Sequence, residues 1–524
     1  MVDEHSKKMK KYFGKIFLFS ISIAVFAMGF FMEAENSEAA INGVLRVSPV
    51  NPRYFTDDTG EAIYLTGSHT WNSLEDGGFF TQENADPPPA FNFNAYLEFL
   101  RSNNHNFIRL WRFELPKFYY WLDIDVTSRR GPNSRMGFQF SQPHPWVRTG
   151  SGIALDGKPK FDLTKFDEMY FQRLKDRVAA AQARGIYVSV MLFEGGELRG
   201  SETWDWQSHP FKFANNVNFI EADANVDGCG VEVHSLLNPA ITEIQKAYIR
   251  KVVDTVNHLD NVLYEVGNEM YFSEDNKDWQ YWAVNYIKEY EATKPKQHPV
   301  GMVSQMYYPW EPSVPSDPRN AVLFNSPADW ISPSGSGGSG YLNPETIPAT
   351  QGSKVILFDT DHIWGIGGDR LWVWKSFLRG HNIINMDTLP EITEHVLYYA
   401  KAPEIRAAMG HTLTYANKVN LISMLPSNNA ADCSTTYCLR NPGQEYLVYQ
   451  PSAGAFTVNL PVGTFNYEWF NPATGSIAGT GTVTASGGNK SFNPPFSGDA
   501  VLYLKKTTLV DATPPAAPTG LRVQ

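Results

Sequence analysis

Two short stretches of the chain end apolar runs in carboxyl groups. One reads Val262-Leu263-Tyr264-Glu265-Val266-Gly267-Asn268-Glu269. The other runs from Val355 to Phe358 and continues Asp359-Thr360-Asp361-His362. Side chains two apart on an extended strand share a side, so Asp359 and Asp361 face the same way. One carboxyl from each stretch can flank a bond to be broken. Glycoside cleavage needs such a pair, a protonated carboxyl for the leaving oxygen and an ionised one to attack the anomeric carbon or activate water. The acid must be kept protonated by apolar walls or a nearby carboxylate, and Tyr271, Trp279 and Trp364 suit the walls. The ionised partner needs a cation, which Arg109 or Arg112 supplies, and His362 can orient it.

The elements that must position these groups alternate between strand and helix. Ala62–Leu65, Phe107–Trp111, Ile186–Phe193, Val262–Val266, Val300–Ser304, Val322–Phe324, Val355–Phe358 and His381–Met386 read as strands. Between them Ala95–Leu100, Leu163–Arg184, Pro239–Leu259 (capped by Asn238), Asp278–Glu291, Leu371–Leu378 and Pro403–Ala416 read as helices. The strands are continuous apolar runs, as in a parallel sheet covered by helices. Eight such units over about 350 residues predict an α/β fold of the (β/α)8, or TIM, barrel type. No glycine-rich phosphate loop follows the first strand, which removes support for a nucleotide fold.

A barrel of this kind carries its site at the carboxyl ends of its strands. That rule gathers His69, Trp71, Arg109, Trp111, Arg112, Glu114, Glu194, Asn268, Glu269, Gln305, Tyr307, Asp359, Asp361, His362 and Asp387. Structural readings stand beside the functional ones. Glu269 also fits an ion pair, and whichever of Asp359 and Asp361 is not the nucleophile fits a loop cap. His69 is a substrate contact or a core histidine. Trp71, Trp111 and Trp364 are sugar platforms or barrel core. Glu194, before Gly195-Gly196, is a substrate ligand or a loop anchor. Asp369 reads as turn chemistry, and Trp372 and Trp374 as helix packing.

Asn-Glu ending the fourth strand, with a carboxylate ending the seventh, resembles the large clan of retaining (β/α)8 glycoside hydrolases. More narrowly, RYFTDDTGEAIYLTGSHTW, FIRLWRFE and FDTDHIWGIGGDRLWVWKSFLRG resemble the apiosidase-like barrel hydrolases over roughly residues 44–506. The resemblance implies that Glu269 is the general acid/base and that Asn268 bonds the sugar 2-hydroxyl. The clan's nucleophile is usually Glu, and this chain offers Asp359, favoured by alignment of the strand, or Asp361. The remaining substrate-binding candidates are His69, Trp71, Arg109, Trp111, Arg112, Glu194, Tyr307, His362 and Trp364. Members often carry a C-terminal β-sandwich labelled collagen-binding, and residues 421–506 look like it.

Composition sets the frame. The chain has 524 residues, 44 Lys+Arg against 55 Asp+Glu, and a formal net charge of −11. Such acidity argues against a general nucleic-acid binder. Lys7, Lys8, Lys10, Lys11 and Lys15, an apolar run from Ile16 to Phe31, and Ser37-Glu38-Ala39 have the order of a secretory signal over 1–39, with a retained membrane anchor as the alternative. A barrel over 41–420 follows, then an all-β sandwich over 421–506 of short strands split by Pro, Gly and Asn. Residues 507–524 resemble a linker and the first strand of a fibronectin type III module, or form a plain tail. Export permits a disulfide between Cys433 and Cys438 and leaves out Cys229. No cofactor is expected. First-strand His69 lacks a His-x-His partner, so no metal site is expected. The expected partner is a plant or microbial polysaccharide, with extracellular glycan or matrix contact through the sandwich. A non-catalytic adhesin and a metal-dependent barrel hydrolase are the alternatives.

Overall fold

The computed structural model describes residues 41–77, 85–122, 135–198, 206–306, 319–334, 354–363, 365–393 and 399–507. The expected signal segment, Tyr307, Trp364 and residues 508–524 lie outside the described residues.

Eight parallel strands form the barrel: β1 Gly67–His69, β2 Phe107–Leu110, β3 Tyr187–Glu194, β4 Val262–Asn268, β5 Val300–Val303, β6 Trp330–Ser332, β7 Val355–Asp359 and β8 Asn382–Met386. Each neighbour in sequence pairs in parallel from β2 to β8, and β8 then pairs with β1. The seam between β1 and β2 is closed by Asn106, whose N–H donates to Thr66 O at 3.0 Å. Its Oδ1 accepts from Thr66 N at 2.9 Å and its Nδ2 donates to Tyr64 O at 2.8 Å. The strands approach closely here, and a Cβ at Gly67 would lie 1.8 Å from Phe107 O. Only glycine fits that contact.

Among the described residues the longer helices that cover the strands are α1 Phe93–Ser102, α2 Glu168–Gln182, α3 Pro239–Val256, α4 Glu274–Glu291, α5 Arg319–Asn325, α6 Arg370–Phe377 and α7 Ala402–Lys418. Their starts follow from capping side chains. Asn238 accepts from Ala240 N, Ser273 from Asn276 N and Asp369 from Trp372 N, each a contribution of about 1 kcal/mol. All eight residues of β3 and all seven of β4 are buried, because helices on one side and the barrel interior on the other leave no wet face.

Three expectations need correction. Val322–Phe324 lies within helix α5, and the sixth strand is the short Trp330–Ser332. Ala62–Ile63 belongs to a small antiparallel sheet with Phe55–Thr56, leaving the polar Gly67–His69 as the first barrel strand. Helix α2 begins only at Glu168, because residues 159–166 form the second arm of a hairpin with Trp146–Ile153. A short apolar run cannot by itself distinguish strand from helix.

The C-terminal region is a β-sandwich. One antiparallel sheet has the order Leu425–Ser427, Cys438–Asn441, Glu445–Gln450, Ala500–Lys506, Gly463–Asn471, Ser476–Ala485. A second sheet pairs Phe456–Leu460 with Gly488–Phe492. A disulfide joins Cys433 and Cys438, with Cα atoms 6.1 Å apart. The sandwich packs on α6 and α7. Trp374 meets Tyr449 and Phe470 at ring distances of 6.0 and 5.9 Å, and Arg370 makes two bonds to Asp499 at 2.9 and 3.1 Å.

Candidate active site

Strands β1, β2, β4 and β7 bring one guanidinium among several carboxyl groups. Arg109, on β2, points into the barrel and is 3% exposed. Its Nε and NH2 donate to Glu265 at 3.0 and 2.5 Å, and NH2 also donates to Asn268 Oδ1 at 2.7 Å. Its NH1 donates to Asp359 Oδ2 at 3.1 Å and to Asp361 Oδ2 at 3.0 Å. Of the two cations expected near the seventh strand, Arg109 is the one in place. The stack extends upward, with the Arg109 guanidinium 5.3 Å from the Trp111 ring centroid and Trp111 lying parallel to His69 at 6.0 Å. Trp71 meets Trp111 edge-on at 6.4 Å.

The two aspartates differ in environment. Asp359 is 1% exposed, and both of its oxygens are engaged. His69 Nε2 lies 3.0 Å from Oδ1, Asp361 N donates to the same oxygen at 3.0 Å, and Arg109 holds Oδ2. Burial alone would raise its pKa, but His69 and Arg109 outweigh it and hold the group well below the usual carboxylate range. Asp361 sits on the short 3-10 turn Thr360–His362 and is 9% exposed. Burial and the charge of Asp359 raise its pKa, against the pull of Arg109. Asp359 therefore serves both as a candidate site carboxylate and as the cap of the turn that carries Asp361.

Asn268 is held from three sides. Its Oδ1 accepts from Arg109 and lies 3.1 Å from His362 Nε2. Because that oxygen only accepts, His362 Nε2 must carry the proton. The ring's Nδ1 then accepts from the Ser332 hydroxyl at 2.7 Å. Burial, then Arg109, lowers His362 to a pKa of about 4, so it is neutral near pH 7. His362 thus orients Asn268 more directly than it orients a nucleophile. Asn268 Nδ2 donates to Glu194 Oε1 at 3.3 Å. Glu194 also accepts from Gly196 N and Glu197 N at 3.0 and 2.8 Å, which makes it an anchor of the loop after β3.

Glu269 follows directly and is half-buried, with φ of 46°, a left-handed conformation uncommon for a residue with a Cβ. Gly267 permits the turn, since a Cβ there would lie 2.0 Å from Met270 Cε and 2.9 Å from Phe193 O. The place of Glu269 directly after Asn268, the last residue of β4, puts it at the same end of the barrel as the turn that follows β7.

Other expected residues go elsewhere. Arg112 is fully buried in a separate cluster, 4.4 Å from the Tyr248 ring centroid and bonded to Leu192 O. It shares that cluster with Glu75, whose buried carboxyl is pushed up to about 8. Trp279 is core, donating to Gln245 Oε1 at 3.0 Å and packing on Phe193. Glu114 binds His209 and His234, each at 3.0 Å. Asp387 pairs with Arg406 on α7 at 2.6 and 2.9 Å. His69 is fully buried and acts on Asp359. Asp369 caps α6, and Trp372 and Trp374 are packed, as expected. Glu265, three residues before the end of β4, joins this site although it is not a strand-end residue. Its signal was a charged residue in the middle of an otherwise apolar buried strand.

Residues 136–306 match the model of a family described as a domain of unknown function (DUF6298). Residues 423–505 match a family described as "Putative collagen-binding domain of a collagenase". No curated protein matches the chain. The fold is similar to a glycoside hydrolase family 5 protein of Bacteroides vulgatus, at 12% identity and a TM-score of 0.54, over 89% of this chain and 93% of that one. It is also similar to a second protein of that organism, described as "a putative glycoside hydrolase", at 13% identity and a TM-score of 0.54, over 89% of this chain and 83% of that one. These likenesses establish the barrel architecture that the strand order displays.

Proposed function

We propose that this barrel is a glycoside hydrolase using two carboxyl groups, with Glu269 as the general acid/base and a β7 aspartate as its partner. The observation that carries the reading is the convergence of Asn268-Glu269 and the Asp359/Asp361 pair at one barrel end, linked through Arg109. The similar architecture of known glycoside hydrolases supports it.

Within this reading the two aspartates divide the work. An attacking oxygen must reach a ligand, and Asp361 commits only Oδ2 to Arg109 while being the more exposed of the two. Asp359 holds Arg109 and His69 in place and fixes the turn under Asp361. This reverses the preference for Asp359 that strand alignment alone suggests. Asn268 Nδ2 keeps one N–H beyond its bond to Glu194, suited to a sugar hydroxyl. The substrate class is a plant or microbial polysaccharide; Trp71 and Trp111 are buried against His69 and Arg109, which favours their reading as barrel core over that as sugar platforms.

The lysine-rich start, the apolar run over 16–31 and the disulfide in the sandwich support an exported protein. The family description of residues 423–505 favours a second role for the sandwich in matrix or glycan contact.

A reducing-sugar screen over plant and microbial polysaccharides tests the main reading. The wild type should release reducing ends from at least one. Glu269→Gln should fold normally and lose about 10²–10⁴-fold in turnover. Near-normal turnover in that variant would exclude the assignment. Binding to a glycan or matrix without any release would favour the adhesin alternative.

A further inference from the structure

We propose that Glu265 is a positioning residue for the β7 carboxyl groups, holding the Arg109 guanidinium so that NH1 falls between Asp359 and Asp361. The kinetic arm of its test rests on the glycosidase reading, and the spectroscopic arm does not.

The geometry is specific. A guanidinium offers five N–H donors in a rigid plane. Glu265 takes Nε and NH2 side by side, which fixes the plane of that fork. The opposite edge, NH1, is then aimed at β7, where it meets Asp359 and Asp361 at 3.1 and 3.0 Å. Glu265 is itself held by Ser189 Oγ on β3, 3.1 Å away, and is fully buried. A side chain one methylene shorter at position 265 would let the fork rotate, and both aspartates would lose their common donor.

Glu265 also shares the charge of Arg109. The groups facing that charge are Glu265 and Asn268 from β4, Asp359 and Asp361 from β7 and its turn, and His362 from the same turn. His69 from β1 faces Asp359, and Glu269 acts on His362 through its charge. With Glu265 neutral, the guanidinium answers to the two aspartates alone. Asp361 then ionises at lower pH.

The test is a pH titration of the full chain by infrared difference spectroscopy, with Asp361→Asn as the subtraction that identifies the Asp361 carboxylic band. In Glu265→Gln the Asp361 midpoint should fall by roughly one unit or more. The acid limb of kcat/KM should move the same way, while kcat drops and KM changes little. An unmoved midpoint in folded Glu265→Gln overturns the proposal, whatever the activity. Glu265→Asp is titrated alongside it, and alone if Glu265→Gln does not fold. It keeps the charge but cannot reach both nitrogens, so Asp361 loses its donor and its midpoint should rise; a wild-type midpoint there also overturns the proposal. A shifted midpoint in a protein that hydrolyses no glycoside would leave the positioning role standing and remove the glycosidase reading.

Discussion

At the scale of single residues, Asp359 and Asp361 differ by one turn of chain and by almost everything in their surroundings. Asp359→Asn removes the charge that pairs with both His69 and Arg109 in a site closed to water. Losing those buried hydrogen bonds to a charged acceptor costs about 1–3 kcal/mol. Asp361→Asn removes one of two acceptors of NH1 at a more open position. Urea unfolding should therefore separate them, with Asp359→Asn losing stability and Asp361→Asn retaining most of it. Turnover should separate them in the other sense, since azide should restore Asp361→Asn and leave Asp359→Asn unrestored. Equal stability losses, or rescue of Asp359→Asn alone, would reverse the roles. The strand-end positions of these groups were legible from the alternation of apolar residues. Their division of labour was not, because it depends on His69 and Arg109, which lie 290 and 250 residues away along the chain.

At the scale of elements, the helices were legible where a capping residue stood before an apolar period, as at Asn238 and Asp369. The first and sixth barrel strands were not, because Gly67–His69 and Trp330–Ser332 are three residues long and carry no apolar run. Their pairing with long neighbours makes them strands. From sequence Arg112 reads with Arg109 because it directly follows the Phe107–Trp111 run that contains Arg109. The chain has left β2 by then, and Arg112 turns into an aromatic cluster. The sandwich meets the barrel through an aromatic contact around Trp374, Tyr415, Tyr449 and Phe470. Truncation after Lys418 would expose that surface. The shortened chain should aggregate or unfold at lower temperature than the full chain, as read by size exclusion and thermal melting. Trp374→Ala in the full chain should cost about 3–5 kcal/mol. A truncated barrel that stays monomeric with an unchanged melt would mean that the two regions are energetically independent.

At the scale of the whole molecule, buried titratable groups set the response to pH. Burial lowers His105 and His362 to about 4 and His144 and His381 to about 3. Below about pH 6.5 the unfolded chain binds protons that these four folded histidines refuse, so stability falls as pH falls, by up to about 1.4 kcal/mol per unit for each. Glu75, raised to about 8, acts oppositely, as do Glu197 and Asp361, whose values are also raised. Their protonated folded forms favour stability at lower pH, and that advantage is lost as pH rises above the ordinary carboxylate value. The slope should therefore be shallow between about pH 6.5 and 4.5. Below 4.5 the lowered carboxylates Asp359 and Glu114 add to the histidines, and the loss should steepen. Urea midpoints measured from pH 8 to 3.5 check this, and a flat profile below 4.5 would contradict it.

The amino-acid sequence by itself determined the barrel, the sandwich and the end of the barrel where carboxyl groups gather. Those follow from local signals: apolar runs, caps, turns and the alternation of side chains along a strand. Only the tertiary structure decided which cation serves the site, which aspartate is buried, what His362 orients and that Glu265 belongs with them. Each of those depends on side chains from different strands meeting inside the barrel, where short distances and little water set the charge of every group.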